Sequence, residues 1–152
     1  MKLKIYTVGP ISGLSYAECI NEFKTREETL KLMGFEVFNP MLGKDFLKNM
    51  GELPSAGYNQ HPIVTDKAIT RVDFWMVDNS DIILANFIGA KRVSIGTVAE
   101  ISRAYTKGKL VITVMEKGNI HEHAFIDQMS GIIFPTLDDA YNYLKVYKEI
   151  LK

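Results

Sequence analysis

The chain has one cysteine and no excess of charge of either sign. Cys19 has no second cysteine to pair with, which excludes an intramolecular disulfide and is typical of a reducing compartment. Eighteen basic residues balance eighteen acidic residues, and no block of like charge is present. This even distribution argues against nucleic acid or a membrane surface as the partner, and it leaves small molecules as the expected ligands.

Long apolar runs are also missing. No run approaches the ~18 residues that a membrane-spanning helix needs, and the first residues, MKLKIYTVG, lack the features of a secretory signal. We therefore expect a soluble, cytoplasmic protein. With 47% hydrophobic and 24% charged residues, the composition is that of an ordinary globular protein, and 152 residues fit one domain over 1–152.

Several nucleotide-binding and catalytic motifs are absent. The sequence contains no phosphate-binding loop of the form G-x-x-x-x-G-K-[ST], no G-x-G-x-x-G fingerprint and no G-x-S-x-G nucleophile turn. The first predicted strand ends in Gly-Pro rather than in an acidic pair, which argues against a phospho-acceptor domain. The three histidines, His61, His121 and His123, lack a cysteine or carboxylate set suited to zinc. We expect neither a metal nor a cofactor.

Strand and helix patterns alternate along the chain. Strands are predicted at 3–9, 35–40, 81–87, 109–115 and 132–134, and helices at 15–33, 63–79, 94–107, 121–131 and 136–151. This order predicts a doubly wound α/β fold of the flavodoxin or Rossmann type, with a mainly parallel five-stranded sheet and helices on both faces. Such sheets bind ligands at the carboxyl ends of their strands, which singles out the loops 9–14, 87–94 and 115–122. The irregular connection 41–62 is long enough to be a lid.

Asp73 is the first candidate for chemistry. It lies at the edge of the apolar helix face formed by Ile69, Val72 and Met76. A carboxylate in that position is partly desolvated, which raises its pKa and suits it to donate a proton. The alternative is a structural charge paired with Arg71 or with a backbone amide.

Glu100 is the second candidate, in the stretch SIGTVAE. On a helical wheel it points away from the face that carries Ile95, Val98 and Tyr105, which predicts a solvated charge. Its helix begins just after a predicted buried strand, however, so the same direction could point into a ligand cleft. Periodicity alone leaves both interpretations open.

The start of this helix and the first loop offer polar groups. Ser94 is either a plain N-cap or a hydroxyl that, with free helix amides, contacts a phosphate or a sugar hydroxyl. GPISG, residues 9–13, is either a tight turn or a loop whose backbone approaches a ligand closely, with Ser12 adding a hydroxyl. Tyr6 is predicted in the core near the same strand end. His123 is predicted at the surface, with a phosphate contact as the alternative.

The order of these pieces resembles the nucleoside 2-deoxyribosyltransferase family, which includes the 2'-deoxynucleoside 5'-monophosphate N-hydrolases. The resemblance covers most of the chain. It rests on the segments KIYTVGPISG, DFWMVDNSDIILANF, SIGTVAEISRAYTKGK and HAFID…IIF.

The resemblance implies a role for each candidate residue. Glu100 would be the nucleophile at the anomeric carbon, Asp73 would assist the leaving base, and Tyr6, the third catalytic residue, would lie close to the site. The substrate would be a 2'-deoxynucleoside or its 5'-monophosphate, and the sugar would pass to a free nucleobase or to water. The substrate-binding residues would be Gly9, Ile11, Ser12, Gly13, Ser94, Gly96 and His123.

Departures from the family pattern bear on the substrate. The transferases carry an aspartate where this chain has Ser94, whereas the N-hydrolases carry a serine that contacts the 5'-phosphate, so a monophosphate is favoured. The N-hydrolases carry an arginine at the position of Ser12, and Ile101-Ser102 replaces the usual Leu-Gly. The family completes its sites across subunits, which implies a homo-oligomer, a dimer or larger, with His123 as the cross-subunit contact. The departures also leave open a non-catalytic nucleotide-binding module.

Overall fold

The computed structural model describes residues 2–152, which form five strands and five α-helices in alternation. The strands are β1 (Lys4–Val8), β2 (Glu36–Phe38), β3 (Ile82–Asn86), β4 (Leu110–Val114) and β5 (Ile132–Phe134). The helices are α1 (Tyr16–Leu32), α2 (Asp66–Asp78), α3 (Ile95–Thr106), α4 (Ala124–Met129) and α5 (Leu137–Ile150), with a short 3-10 turn at Asp45–Leu47. All strand pairs are parallel, in the order β2-β1-β3-β4-β5. The predicted doubly wound fold is confirmed.

Side-chain caps fix where the helices begin. Ser15 and Glu18 form a capping box at the start of α1, and Thr136 caps α5. Thr65 accepts a hydrogen bond from the Ala68 amide, so α2 begins at residue 66 rather than at 63. The helix predicted at 121–131 is only six residues long, because the His123 backbone is extended and its ring caps the first turn.

The strands alternate their side chains between two cores. Along β3, Ile82 and Leu84 pack with α1 and α5 on one face, whereas Ile83 and Ala85 pack with α2, α3 and α4 on the other. Tyr6 of β1 pairs with Ile83 in register and lies in the α2–α3 core. Every residue of β3 is buried, as expected for a central parallel strand covered on both faces.

The strand order of the sheet reverses between β1 and β3, and the carboxyl ends of these two strands lie side by side. Val8 is in register with Ala85, and the chain then turns at Gly9. A Cβ atom at Gly9 would lie 2.8 Å from the Asn86 carbonyl oxygen, so only glycine fits this approach. In this strand order, the junction of β1 and β3 is the crevice where ligands bind.

The connection between β2 and α2 is packed rather than loose. Met41, Leu47 and Leu53 are buried in a third core cluster together with Cys19 and Phe23 of α1. The Gly13 amide donates to the Leu53 carbonyl at 2.9 Å, and the Leu53 amide donates to the Leu14 carbonyl at 2.8 Å. These contacts hold the connection, which we call the roof segment (residues 39–64), over the carboxyl end of the sheet.

No helix within residues 2–152 combines the length and the apolar character that crossing a membrane would require.

Candidate active site

A cleft of about 490 Å³ lies at the carboxyl ends of β1 and β3. The first loop, residues 9–12, forms one side, and the roof segment covers it. Asp73 lines the cleft from α2, and Gly96 and Glu100 line it from the first two turns of α3. The cleft therefore receives polar groups from two helices that lie on the same face of the sheet.

Three of the residues selected from the sequence come together at this cleft. The Tyr6 hydroxyl donates a 2.8 Å hydrogen bond to Glu100 Oε1. Tyr6 is fully buried, and Glu100 is only 7% exposed. Burial raises the pKa of Tyr6 well above 10, and the negative charges of Glu100 and Asp73 add to this rise. Tyr6 therefore stays neutral and serves as a hydrogen-bond donor.

The roof segment adds a cation to this group. Lys44 Nζ lies 3.5 Å from Asp73 Oδ1, and their side chains are 9% and 17% exposed. This ion pair is the alternative considered for Asp73, but its partner is Lys44 rather than the predicted Arg71. The pair nevertheless lines the cleft, so a structural ion pair and a place in the site are compatible.

Burial raises the pKa of both carboxyl groups. The pKa of Glu100 rises from 4.5 to about 8 because of burial and, second, the neighbouring Asp73 charge, whereas the Tyr6 hydrogen bond and Lys44 oppose the rise. Burial also raises the pKa of Asp73, again opposed by Lys44. Near neutral pH the two carboxyl groups therefore retain a proton between them, which provides one carboxylate and one proton donor in the same cleft.

The raised pKa of Glu100 predicts a pH-dependent cost to folding. The folded chain binds this proton more tightly than the unfolded chain, so stability is lost as the pH rises from about 4.5 to about 8. Glu100→Gln removes that loss and should stabilise the protein at pH 9 by up to about 4 kcal/mol relative to its effect at pH 5. Thermal unfolding at both pH values measures the difference.

The exposed Glu149 offers a matched control for this measurement, because Glu149→Gln makes the same chemical change on the surface of α5. An equal shift in Tm at pH 5 and pH 9 for the Glu100 variant would contradict the electrostatic account.

The helical-wheel prediction that Glu100 is a solvated charge was wrong. The buried residues are Thr97, Glu100, Ile101 and Ala104, whereas Ile95 is 79% exposed and Tyr105 is 54% exposed. Ile101 and Ala104 pack in the core beside the sheet, whereas Gly96, Thr97 and Glu100 line the cleft. Glu100 therefore lies on the buried face of α3, at the end of that face that meets the cleft.

Ser94 occupies the N-cap position of α3 but does not cap it through its side chain. Its hydroxyl lies 2.9 Å from the Thr97 hydroxyl, and its backbone amide donates a 2.8 Å hydrogen bond to His121 Nε2. The His121 ring stacks on Phe87 with centroids 3.9 Å apart, and Asn119 Oδ1 lies 3.0 Å from His121 Nδ1. Burial lowers the pKa of His121, and accepting the Ser94 amide at Nε2 requires the neutral ring protonated at Nδ1.

The other predicted binding residues divide into two groups. Gly9, Ile11, Ser12, Ser94 and Gly96 line the cleft. Gly13 and His123 do not. Gly13 supports the roof segment through the hydrogen bond from its amide to the Leu53 carbonyl. Its φ of +89° favours glycine, and the Arg92 guanidinium occupies the space that a Cβ atom on residue 13 would need. His123 is exposed and its Nδ1 accepts from the Phe125 amide, so within one chain it is a helix cap.

Sequence reasoning missed Lys44 and His121. Lys44 lies in an irregular segment with no periodicity, and nothing local distinguishes it from the exposed Lys48. The loop 115–122 was selected as one of three at the carboxyl edge, but none of its residues lines the cleft. It contributes instead through His121, which holds the backbone at Ser94. Within residues 2–152, no cluster of three or more His, Cys, Asp or Glu side chains is arranged to hold a metal ion.

The chain is similar to known proteins. A profile of the family described as nucleoside 2-deoxyribosyltransferase matches residues 5–134. The structure of a CMP N-glycosidase from Clostridium botulinum is 16% identical, with a TM-score of 0.59, and the match covers 95% of this chain and 98% of that chain. A 3-dehydroquinate dehydratase-like protein from Bifidobacterium longum is 12% identical, with a TM-score of 0.48 and coverage of 100% and 98%.

At 16% identity, the likeness to the Clostridium protein establishes a shared fold. No curated protein sequence matches the chain. The family profile spans the first strand, the cleft residues and the last strand, and on this match the chain belongs to the nucleoside 2-deoxyribosyltransferase family.

Proposed function

We propose that this protein cleaves the N-glycosidic bond of 2'-deoxynucleosides or their 5'-monophosphates through a covalent deoxyribosyl-Glu100 intermediate. The observation that carries the proposal is the buried Glu100 carboxyl, hydrogen-bonded to Tyr6 in a cleft that Asp73 also lines. Membership of a family named for deoxyribosyl transfer supports nucleosides or nucleotides as substrates.

The raised pKa of Glu100 favours the shared proton on that residue at rest, so the reactive form is the one in which the proton has moved to Asp73. In the first half-reaction, a Glu100 carboxylate oxygen forms a bond to C1' as the bond from C1' to the base nitrogen breaks. The electron pair of that bond goes to the base, and the proton on Asp73 neutralises it. The sugar passes through an oxocarbenium-like state, which the adjacent carboxylate stabilises. Because an electron-withdrawing 2'-hydroxyl makes this cation harder to form, a 2'-deoxy sugar is the preferred substrate.

In the second half-reaction, water or a second base attacks C1', and Glu100 leaves as the carboxylate. The Asp73 carboxylate takes the proton that the attacking water or base releases, which restores the starting state. Tyr6 holds the Glu100 oxygen in place through both steps. The two carboxyl groups therefore alternate roles with one shared proton.

The start of α3 supports a 5'-phosphate on the substrate. Among the described residues, no side chain caps this helix, because the Ser94 hydroxyl lies against Thr97 and the Ser94 amide is held by His121. The first-turn amides and the helix dipole then suit an anion at the Ser94–Gly96 side of the cleft. Ser12 lines the same cleft and supplies a further hydroxyl.

A substrate panel tests the reaction and the phosphate preference together. Chromatography of the protein with deoxynucleosides, deoxynucleoside 5'-monophosphates and a free acceptor base should show base release or exchange, with the monophosphates preferred. Ser94→Asp places a carboxylate where we propose the phosphate, so kcat/KM for monophosphates should fall by about 10²-fold or more while nucleosides are largely unaffected.

Ser94→Ala is the matched control, since it removes the hydroxyl without adding charge. Equal losses on nucleosides and monophosphates in the aspartate variant would contradict the phosphate assignment. Saturable nucleotide binding without any released base would instead identify a non-catalytic binding module.

We include a homo-oligomer in this proposal, with His123 reaching a neighbouring subunit's site. Apolar side chains are exposed in both α3 and α4, at Ile95 and Phe125. The His123 ring lies 5.7 Å from the exposed Phe125 ring. A strict monomer in light scattering would remove His123 from the site.

A further inference from the structure

Lys44 is the one lysine among the described residues that is buried. Lys44 lines the cleft, its ammonium lies 3.5 Å from Asp73 Oδ1, and its side chain is 9% exposed. A buried lysine without a function is uncommon, because removing an ammonium from water is costly unless it has a partner. The two half-reactions use Glu100, Asp73 and Tyr6 and give Lys44 no role.

The roof segment holds Lys44 in a fixed place. The Lys44 amide donates to the Met41 carbonyl at 3.2 Å, and the Leu47 amide donates to the Lys44 carbonyl at 2.9 Å. Met41 and Leu47 are both buried in the core cluster with α1. The backbone on both sides of Lys44 is therefore anchored, and the ammonium is positioned by packing.

The ionisable groups around Lys44 are mainly acids. Asp73 of α2 is in contact with it, and its positive charge also acts on Glu100 of α3. The Lys44 charge also acts on Cys19 of α1. Burial nevertheless raises the pKa of the Cys19 thiol to about 11, so the thiol remains neutral. Tyr6 of β1 is likewise neutral. Lys44 therefore faces two carboxyl groups that can ionise in the working pH range.

We propose that Lys44 is a positioning residue that balances the single negative charge of the Asp73–Glu100 pair and thereby allows one of the two carboxyl groups, Glu100 in the reactive form, to be ionised while the other holds the proton. Two desolvated carboxylates repel each other, and without a cation the pair holds its shared proton, or even two protons, to higher pH. With Lys44 present, the pair can carry one negative charge and one proton near neutrality, so Glu100 is available as the nucleophile in the form in which Asp73 holds the proton. The roof segment is in this way part of the catalytic machinery as well as its cover.

Substitution of Lys44 by methionine separates this role from a merely structural one. Methionine matches the length of the aliphatic stem, and replacing a buried charge by an apolar group is often tolerated by the fold. Arginine restores the charge. Lys48→Met is the matched control, because Lys48 is exposed on the same segment and is removed by the same substitution.

The measurement is a carbon-detected NMR titration of the side-chain carboxyl groups of Glu100 and Asp73. In Lys44→Met, both groups should titrate about one pH unit or more above their wild-type midpoints. Lys44→Arg should return them towards wild type, and Lys48→Met should leave them unchanged. Unchanged midpoints in a folded Lys44→Met variant would overturn the proposal. If that variant does not fold, Lys44→Gln provides the same test.

The effect on rate rests on the proposed function, but the titration does not. If the protein cleaves N-glycosidic bonds, the acidic limb of the kcat/KM profile should move to higher pH by the same amount in Lys44→Met. A protein that shifts its carboxyl titrations but turns over no substrate would refute the proposed function and leave the role of Lys44 intact. Turnover with an unshifted acidic limb would refute the role of Lys44 alone.

Discussion

Replacement of Glu100 by glutamine is expected to reduce N-glycosidic cleavage by roughly 10⁴-fold or more, since loss of a covalent nucleophile removes the reaction path itself. The glutamine amide oxygen can still accept the hydrogen bond that Tyr6 donates to Glu100 Oε1. The shape of the cleft is therefore kept while the attacking carboxylate is lost. Single-turnover rates of base release measure the effect, because they do not depend on release of the sugar product.

A second variant shows whether the lost function is nucleophilic attack. Glu100→Ala opens space beside Tyr6, and a small anion such as azide can enter and attack C1' from the same side as the missing carboxylate. Azide should restore base release and give a glycosyl azide of inverted configuration at C1'. Activity within about tenfold of wild type in Glu100→Gln would contradict the proposed role.

Replacement of Asp73 by asparagine should slow base release by about 10²–10⁴-fold, the usual contribution of a general acid. The size of the loss should depend on the leaving base. Bases that are stable as anions need little protonation, so their rate of release should fall only slightly in the variant. The rate should fall most for strongly basic leaving groups. A series of substituted bases on one sugar measures this dependence.

The exposed Asp138 on α5 is the matched control for this series, because Asp138→Asn makes the same change far from the cleft. Asp73→Asn also removes the charge that pairs with Lys44. Activity lost because this ion pair is broken must therefore be distinguished from activity lost because the proton donor is missing. A loss from the broken ion pair would be equal for all leaving bases. A uniform loss would therefore contradict the assignment of Asp73 as the proton donor.

The fold follows from the sequence because its determinants are local and repeat along the chain. The buried strand IILAN is apolar except at its end. Helices α1, α2 and α5 begin directly after a serine or threonine whose hydroxyl caps them, at Ser15, Thr65 and Thr136. Alternation of such elements leaves the parallel doubly wound sheet as the natural arrangement. The helix ends are less well predicted, as the three-residue error at the start of α2 shows.

The site is harder to predict because its determinants are not local. A helical wheel assumes that the inner face of a helix is apolar, but the inner face of α3 carries Glu100 where the helix passes the strand ends. The ion pair of Asp73 links residues 29 positions apart, and the contact of His121 with Ser94 links residues 27 apart. No periodic pattern records such pairs, so neither Lys44 nor His121 could be selected from the sequence.

The most direct test of the covalent mechanism is intact-protein mass spectrometry after rapid acid quenching with a deoxynucleoside 5'-monophosphate. We expect a species heavier than the free protein by one deoxyribosyl phosphate group, and peptide mapping should place the addition on Glu100. The Glu100→Gln variant should show none. Wild-type turnover with no adduct at any quench time, or an adduct on another residue, would contradict the account.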